Sequence, residues 1–302
     1  MKIRLRMSQK EAITFYLLIL PWIIGFFGFQ LGPMLASLGF SFTNYDVIRP
    51  PEWVALGNYK TMFFEDELFW QALKVTFTYT VLAVPSGIVV ALFLAVMLNQ
   101  RVPGLAVFRT IFYLPSVISG VAVSLLWLWL LNPTVGLINF LLWTVFHIKG
   151  PMWLLSGPWV IPSFVLMSLW GVGGSLIIYL AALQSVPTEL YEAASMDGAT
   201  AWRRFWSITL PMISPVILFT FITGMIGALQ VFTQAYVMSD RGRGGPHYAS
   251  LFYGLYLFQN AFRYFKMGYA SAMAWVLFII ILLLTLLTFR VSSERVFYQA
   301  GR

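Results

Sequence analysis

Six stretches of this chain contain no Asp, Glu, Lys or Arg: residues 12–45, 75–100, 110–146, 150–188, 205–239 and 267–289. A helix needs about 20 apolar residues to cross the hydrocarbon of a bilayer, so each stretch can hold one crossing. Several are longer than one crossing requires and must include interfacial or loop segments. The economical reading is an all-α integral membrane protein with six transmembrane helices, at about 13–39, 73–98, 106–131, 158–184, 213–238 and 268–289, in a single domain over 1–302. Composition agrees. Hydrophobic residues make up 60% and charged residues 10%, with a mean hydropathy of +0.81, against roughly 45–50% and about 25% for soluble domains.

Lys2, Arg4, Arg6 and Lys10 precede the first apolar run, Ile13 to Leu31, in the manner of a signal peptide. The run exceeds the usual apolar core of about 7–15 residues and no small-residue cleavage site follows it, so it reads as a retained helix. With six crossings both termini share a side. Segments on that side hold 11 Lys+Arg and 5 acids, against 8 and 6 on the other. The positive-inside rule then places the termini in the cytoplasm. Arg241, Arg243, Arg263 and Lys266, in the loop before the last crossing, narrow that margin. The net charge of +8 follows from this bias and needs no nucleic-acid partner. The absence of cysteine excludes disulfides and thiolate metal sites.

The same rule places residues 187–211 in the cytoplasm. This stretch is dense in charge, with Glu189, Glu192, Asp197, Arg203 and Arg204 between two apolar runs. It reads as two short helices. Pro187 suits a first turn, Glu189 and Glu192 lie near the positive end of the helix dipole, and Asp197-Gly198 breaks the helix. Thr200 caps a second helix through Trp202, Arg203, Phe205 and Trp206, which Pro211 ends. On the opposite side, Asp46 to Trp70 carries Pro50-Pro51, a turn-like Leu56-Gly57-Asn58-Tyr59 and the acidic cluster Glu65, Asp66, Glu67. That loop fits a partner contact or a solvated interface equally well. Gly136 to Ile148 reads as a short interfacial helix, with Trp143 and His147 at the headgroups. His147 and His247 lie in different loops without ligand spacing.

Several functions lack their residues. No G-x-x-x-x-G-K-[ST] loop occurs, and Gly242 to Pro246 lacks both the lysine and a following helix, so the chain has no P-loop for ATP. No ionisable residue stands mid-span as an ion-coupled carrier needs, and Lys74 is near enough to an end to snorkel. Neither H-E-x-x-H nor a Ser/His/Asp set falls within the spans. The spans do carry small and polar residues at helical spacing: Thr220, Thr223/Gly224, Gly227, Gln230 and Gln234 in the fifth, and Ser168, Gly171 and Ser175 in the fourth. Such faces point to other helices or to a wet cavity. The glycines and serines fit close packing as well as a path, whereas Gln230 and Gln234 favour a path lined with hydrogen-bonding groups. With aromatics such as Trp170 and Tyr236, these amides suit a neutral, polyhydroxylated ligand better than an ion.

Glu192-Ala193-Ala194, three residues, Gly198, nine residues, Ile208, one residue and Leu210-Pro211 resemble the EAA signature of membrane subunits of binding-protein-dependent ABC importers. Leu190-Tyr191-Glu192-Ala193-Ala194 with Asp197-Gly198-Ala199 and Trp202 is similar to the carbohydrate branch, which includes maltose and glycerol-phosphate systems. Leu56-Gly57-Asn58-Tyr59, Arg109 to Pro115, Trp127 with Asn132-Pro133, Gly136 to Asn139, and Gly244-Gly245-Pro246 leading to Ala270-Ser271-Ala272 extend the resemblance over nearly the whole chain. Ser250 stands where that family often has threonine.

The resemblance implies a type I importer permease whose 187–211 loop is the coupling helix seated on a cytoplasmic ATPase. Glu192 would make the charged contact, Ala193 and Ala194 would allow close approach, and Asp197-Gly198 would make the turn. Ile208, Leu210 and Pro211 complete the signature, with Leu210 and Pro211 fixing the entry into the next span. Gly171, Ser175, Gly224, Gly227, Gln230, Gln234 and Tyr236 are the candidates for the substrate path. The implied partners are a second similar permease, two ATPase subunits carrying ATP and magnesium, and an extracytoplasmic solute-binding protein, in a bacterial inner membrane. The chain itself would bind no cofactor and perform no chemistry on its sugar-like cargo. Two other classes stay open on the residues alone. A stand-alone secondary transporter lacks coupling-ion residues, and a non-transporting scaffold for an ATPase has no use for the polar stripes.

Overall fold

The computed structural model describes residues 7–100, 103–240 and 242–292. Lys2, Arg4, Arg6 and Arg241, which entered the charge count, lie outside the described residues. The described chain divides into two compact units, one within residues 1–65 and 260–277, the other within 66–259 and 278–302.

In the first unit, α1 (Met7–Gly25), a π-helical turn (Phe26–Leu31) and α2 (Gly32–Ser41) follow one another as a single apolar stretch long enough to span a membrane, Lys10–Ser41. β1 (Thr43–Asn44) and β2 (Glu52–Trp53) then pair antiparallel, with Thr43 opposite Trp53, before α3 (Gly57–Phe64). The turn-like Leu56-Gly57-Asn58-Tyr59 fastens this hairpin to the end of α2. Asn58 Nδ2 donates to Ser41 O and Thr43 O, both at 2.9 Å, and Tyr59 OH donates to Ser41 Oγ at 2.8 Å. Trp275 Nε1 donates to Ser37 Oγ at 3.1 Å, tying the last helix of this unit to α2.

The second unit is built around α4 (Glu67–Leu98), a 32-residue helix. Asp66 caps it, its carboxylate accepting from Leu68 N and Phe69 N at 3.0 and 3.2 Å, as expected of an Asp beside the unpaired N–H groups of a first turn. Within α4, Thr76, Thr80 and Ser86 return their hydroxyls to carbonyls one turn earlier, which pairs them where no water is available. α5 (Leu105–Val117) and α6 (Gly120–Leu130) follow, then α7 (Leu137–Phe146), α8 (Gly157–Trp170), α9 (Gly173–Gln184), α10 (Thr188–Met196) and α11 (Ala201–Arg204). A π-helical segment, Phe205–Thr209, leads into α12 (Leu210–Met212) and α13 (Ser214–Leu229). The remaining helices are α14 (Thr233–Met238), α15 (Tyr253–Phe258) and α16 (Met267–Ser292).

Two stretches expected as crossings are bent, and the second arm of the 187–211 loop joins the fifth expected crossing at a bend. α5 and α6 meet at 100°, α8 and α9 at 50°, and the α11–α12 segment and α13 at 65°. Counting each bent pair as one span gives up to six apolar spans. The first bend follows Pro115, which donates no N–H and weakens the last turn of α5. The second falls at Gly171-Val172. There Gly173 lets α9 press against α5, since a Cβ on Gly173 would lie 2.5 Å from Phe112 O and 2.8 Å from Tyr113 Cα. The core of the unit collects Ala91, Ala95 and Leu98 of α4, Leu176, Tyr179, Leu180 and Leu183 of α9, Val186, and Ile213 ahead of α13. Tyr179 and Thr220 hydrogen-bond within it through their hydroxyls, joining α9 to α13.

Candidate functional site

The signature residues fold into an exposed two-helix knob. Pro187, with φ −57° and ψ 130°, lies just ahead of α10 rather than in its first turn, and Glu189 occupies that turn near the positive end of the dipole. The helix ends in a Schellman motif. Gly198 has φ +73°, its N–H donates to Ser195 O at 3.1 Å, and Ala199 N–H reaches back to Ala194 O at 2.9 Å. No atom lies within 4 Å of a Cβ built on Gly198, so backbone conformation and not crowding demands glycine there. Thr200 caps α11, its hydroxyl accepting from Arg203 N at 3.4 Å. Glu192, Ala193, Asp197 and Gly198 are exposed and Ala194 is half-buried.

The second arm departs from the expectation that Pro211 ends it. The chain stays helical through Pro211 and breaks at Ile213 (φ −93°, ψ 2°), ahead of Pro215. Pro211 donates no N–H, and the widened π turn just before it accommodates the missing bond. Ile208, Leu210 and Pro211 are half-buried, and Ile208 packs against the core cluster. Two hydrogen bonds brace the arms: Arg204 Nη1 to Ser195 Oγ at 2.6 Å, and Tyr191 OH with Thr209 Oγ1 at 2.9 Å. Nothing in residue spacing singled out Tyr191 or Thr209.

The polar stripes converge only in part. A pocket of about 290 Å³ is lined by Tyr79, Gly87, Ser168, Ser175, Thr220, Gly224, Gly227 and Gln234, with Ala83, Val84, Ile88, Val172, Ala228 and Val231. Of the predicted path residues it therefore gathers Ser175, Gly224, Gly227 and Gln234. Gly171, Gln230 and Tyr236 lie outside its lining. The reason is local. α8 stops at Trp170 with Gly171 as its cap, and α13 stops at Leu229 with Gln230 as its cap, so the expected continuous faces are each cut by a bend. Gln234 returns to the pocket from a separate helix, α14. Tyr236, on the same short helix, packs tilted against Phe232 and edge-on against Phe258.

Neither glycine of the fifth stripe is demanded by a close approach of another helix. A Cβ on Gly227 would meet nothing within 4 Å, and one on Gly224 only Val84 at ordinary contact distance. Gly227 leaves open space. Tyr79, which sequence spacing missed, brings a hydroxyl from α4. The amide of Gln234 and the hydroxyl of Ser175 make no hydrogen bond to the described residues, so both are available to a solute. Among the described residues no group of three or more His, Cys, Asp or Glu is placed to hold a metal, and His147 and His247 are both exposed.

A second, larger groove of about 1160 Å³ lies towards the knob. Ile88, Val89, Leu92, Phe93 and Val96 of α4 line it with Trp202, Phe205, Trp206 and Leu210 of the knob, Ile217, Leu218 and Phe221 of α13, and Leu287 and Val291 of α16. Its wall is almost wholly apolar, so despite its size it offers little to a hydroxylated solute.

Apolar helices with bent spans, a polar pocket among them and an exposed two-helix turn suit a membrane transport component. The sequence matches the family of binding-protein-dependent transport system inner membrane components over residues 76–293, and the chain belongs to that family. It is a multi-pass permease subunit of an ABC importer. It is 46% identical to the Probable ABC transporter permease protein YesP of Bacillus subtilis (strain 168), covering 98% of this chain and 95% of that protein. It is 37% identical to the lactose transport system permease protein LacF of Rhizobium radiobacter, covering 97% and 98%. Its structure is similar, with a TM-score of 0.83 and 27% identity over 96% of this chain and 98% of the other, to a chain of a bacterial alginate ABC transporter in complex with an alginate pentasaccharide-bound periplasmic protein.

Proposed function

We propose that this chain is one of two similar permeases in an ATP-driven importer of a sugar or sugar-like solute, working by alternating access. The observation that carries this reading is the knob: in a chain of this permease family, the signature residues form an exposed turn with Glu192 and Asp197 on its surface. In this reading α10 seats on a cytoplasmic ATPase, Glu192 makes the charged contact, and Ala193 and Ala194 admit close approach. The Asp197-Gly198 turn sets the angle between the arms, and Ile208, Leu210 and Pro211 carry the second arm into α13. Two ATPase subunits hold ATP and magnesium, an extracytoplasmic binding protein delivers the solute, and the termini and knob face the cytoplasm of a bacterial cell.

The solute class is supported by the lactose and alginate systems among the similar proteins. It is supported also by a pocket offering hydroxyls and an amide with both donor and acceptor capacity. A sugar hydroxyl donates and accepts as well, so it can satisfy both. The test is solute-stimulated ATP hydrolysis in proteoliposomes holding the complete transporter, wild type against Glu192→Ala. Loss of stimulation in the variant supports the reading. Full coupling in the variant, or uptake by this chain without an ATPase, overturns it.

A further inference from the structure

The knob has an inner side that the signature does not explain. Glu192 is exposed, whereas its neighbour Tyr191 is half-buried and packs against the core formed by the ends of α4 and α9 and by Ile213. The phenol hydroxyl of Tyr191 pairs with Thr209 Oγ1 at 2.9 Å across the gap between the arms. Thr209 is itself buried, with 6% of its surface exposed. It closes the π segment, four residues before Ile213, where the chain turns into α13.

Thr209 uses its hydroxyl differently from six other helical threonines of the described chain. Thr76, Thr80, Thr110, Thr220, Thr223 and Thr288 each turn theirs onto a carbonyl of their own helix one turn earlier. That is the ordinary resolution for threonine inside an apolar helix. Thr220 also pairs across helices, with Tyr179, but keeps its carbonyl bonds; the hydroxyl of Thr209 makes no carbonyl bond to the described residues and pairs only with Tyr191, 18 positions away. The π turn shifts backbone bonding from i−4 to i−5 and so removes the usual local alignment; such turns recur at functional positions. The second brace, Arg204 to Ser195, is exposed and close to the turn, so it ties the tips of the arms and not their bases.

We propose that Tyr191 and Thr209 are positioning residues for coupling. Their hydroxyl pair locks the base of α10 to the segment entering α13, so that displacement of α10 is carried to the polar pocket and not absorbed by flexing at Asp197-Gly198. The inference rests on the reading of the knob as the ATPase contact. Thr220, Gly224 and Gly227 lie on the helix that the locked segment feeds, which gives the displacement a route to the pocket lining.

The experiment uses the complete transporter in proteoliposomes with its binding protein and solute, and reads solute taken up per ATP hydrolysed. Tyr191→Phe and Thr209→Val keep the side-chain volume and remove the hydrogen bond. Each is expected to lower that ratio about fivefold, the scale of one net hydrogen bond, with ATPase subunits still co-purifying. Thr209→Ser, which keeps the hydroxyl, restores the ratio, and the double variant is no worse than either single. A wild-type ratio in Tyr191→Phe, or additive losses in the double variant, overturns the proposal. If Thr209→Val fails to assemble, Tyr191→Phe alone decides. Glu192→Ala separates the two readings: should it stay coupled, the knob is not the ATPase contact, whereas its uncoupling beside a fully coupled Tyr191→Phe sinks only the positioning role.

Discussion

α4 and α13 line two cavities of opposite character. Towards the knob they contribute Val89, Leu92, Phe93, Ile217, Leu218 and Phe221 to a groove of about 1160 Å³. Further along they contribute Tyr79, Gly87, Thr220, Gly224 and Gly227 to a pocket of about 290 Å³. Ile88 borders both. Cavity volume alone would select the groove as the solute site, and its chemistry argues against that. Aliphatic and aromatic walls gain by excluding water and give a sugar hydroxyl nothing to replace the water it loses. The smaller pocket leaves an amide and a hydroxyl without partners among the described residues. A transport path is recognised by what its wall can exchange with the solute.

The strongest way to break this comparison is to disturb the α8–α9 bend, beside which Val172 and Ser175 line the pocket. Gly173→Ala pushes a Cβ into Phe112 O and Tyr113 Cα. The expected cost reaches about 3 kcal/mol, as for overpacked cores. It should appear as lost monodispersity after mild heating in detergent, and an unchanged profile would show that the α8–α9 bend does not depend on that close approach.

Filling the pocket comes next. Gly227→Leu places a side chain into open space and should cut uptake more than tenfold while the complex still assembles. Phe221→Leu in the groove should leave uptake within about twofold, since one apolar side chain replaces another there. The opposite pattern would make the groove the path.

A finer cut compares two glutamines four residues apart. Gln234→Leu removes a pocket amide and should lower uptake about fivefold, the scale of one hydrogen bond. Gln230→Leu, outside the pocket lining, should leave it unchanged. Equal losses would restore the continuous stripe that the spacing alone suggested.

The smallest effect is expected at the turn that positions the knob's wall of the groove. Gly198→Ala meets no steric obstacle but must hold φ near +73°, which costs about 1 kcal/mol. Solute-stimulated ATP hydrolysis should weaken severalfold without loss of assembly. An unaltered rate would mean that the turn tolerates another backbone shape.

The features legible from residues were those decided within a few positions of the chain. The Asp197-Gly198 break and the Thr200 cap each depend on local backbone needs that particular residue types meet; Leu56-Gly57-Asn58-Tyr59 read only as turn-like, and its bonds to Ser41 and Thr43 join residues 15–18 positions apart. The spans were legible because hydrocarbon tolerates few charges and requires length. The interruption of both polar stripes was not. Periodicity assumes a continuous helix, and Gly171 and Gln230 sit where the helices stop. Pro211 misled in the other direction: a proline usually ends a helix, yet here the preceding π turn lets the chain continue.

The sequence by itself determined that this chain lies in a membrane as apolar helices, and that the charged stretch around Asp197-Gly198 forms an exposed turn, because solvation and backbone propensity act residue by residue. Only the tertiary structure decided that Gln234 and not Gln230 lines the pocket, that Tyr79 joins it from α4, and that Tyr191 meets Thr209 across the knob. Those outcomes depend on the angles at which helices bend and pack, and an angle is set by contacts among residues far apart in the chain.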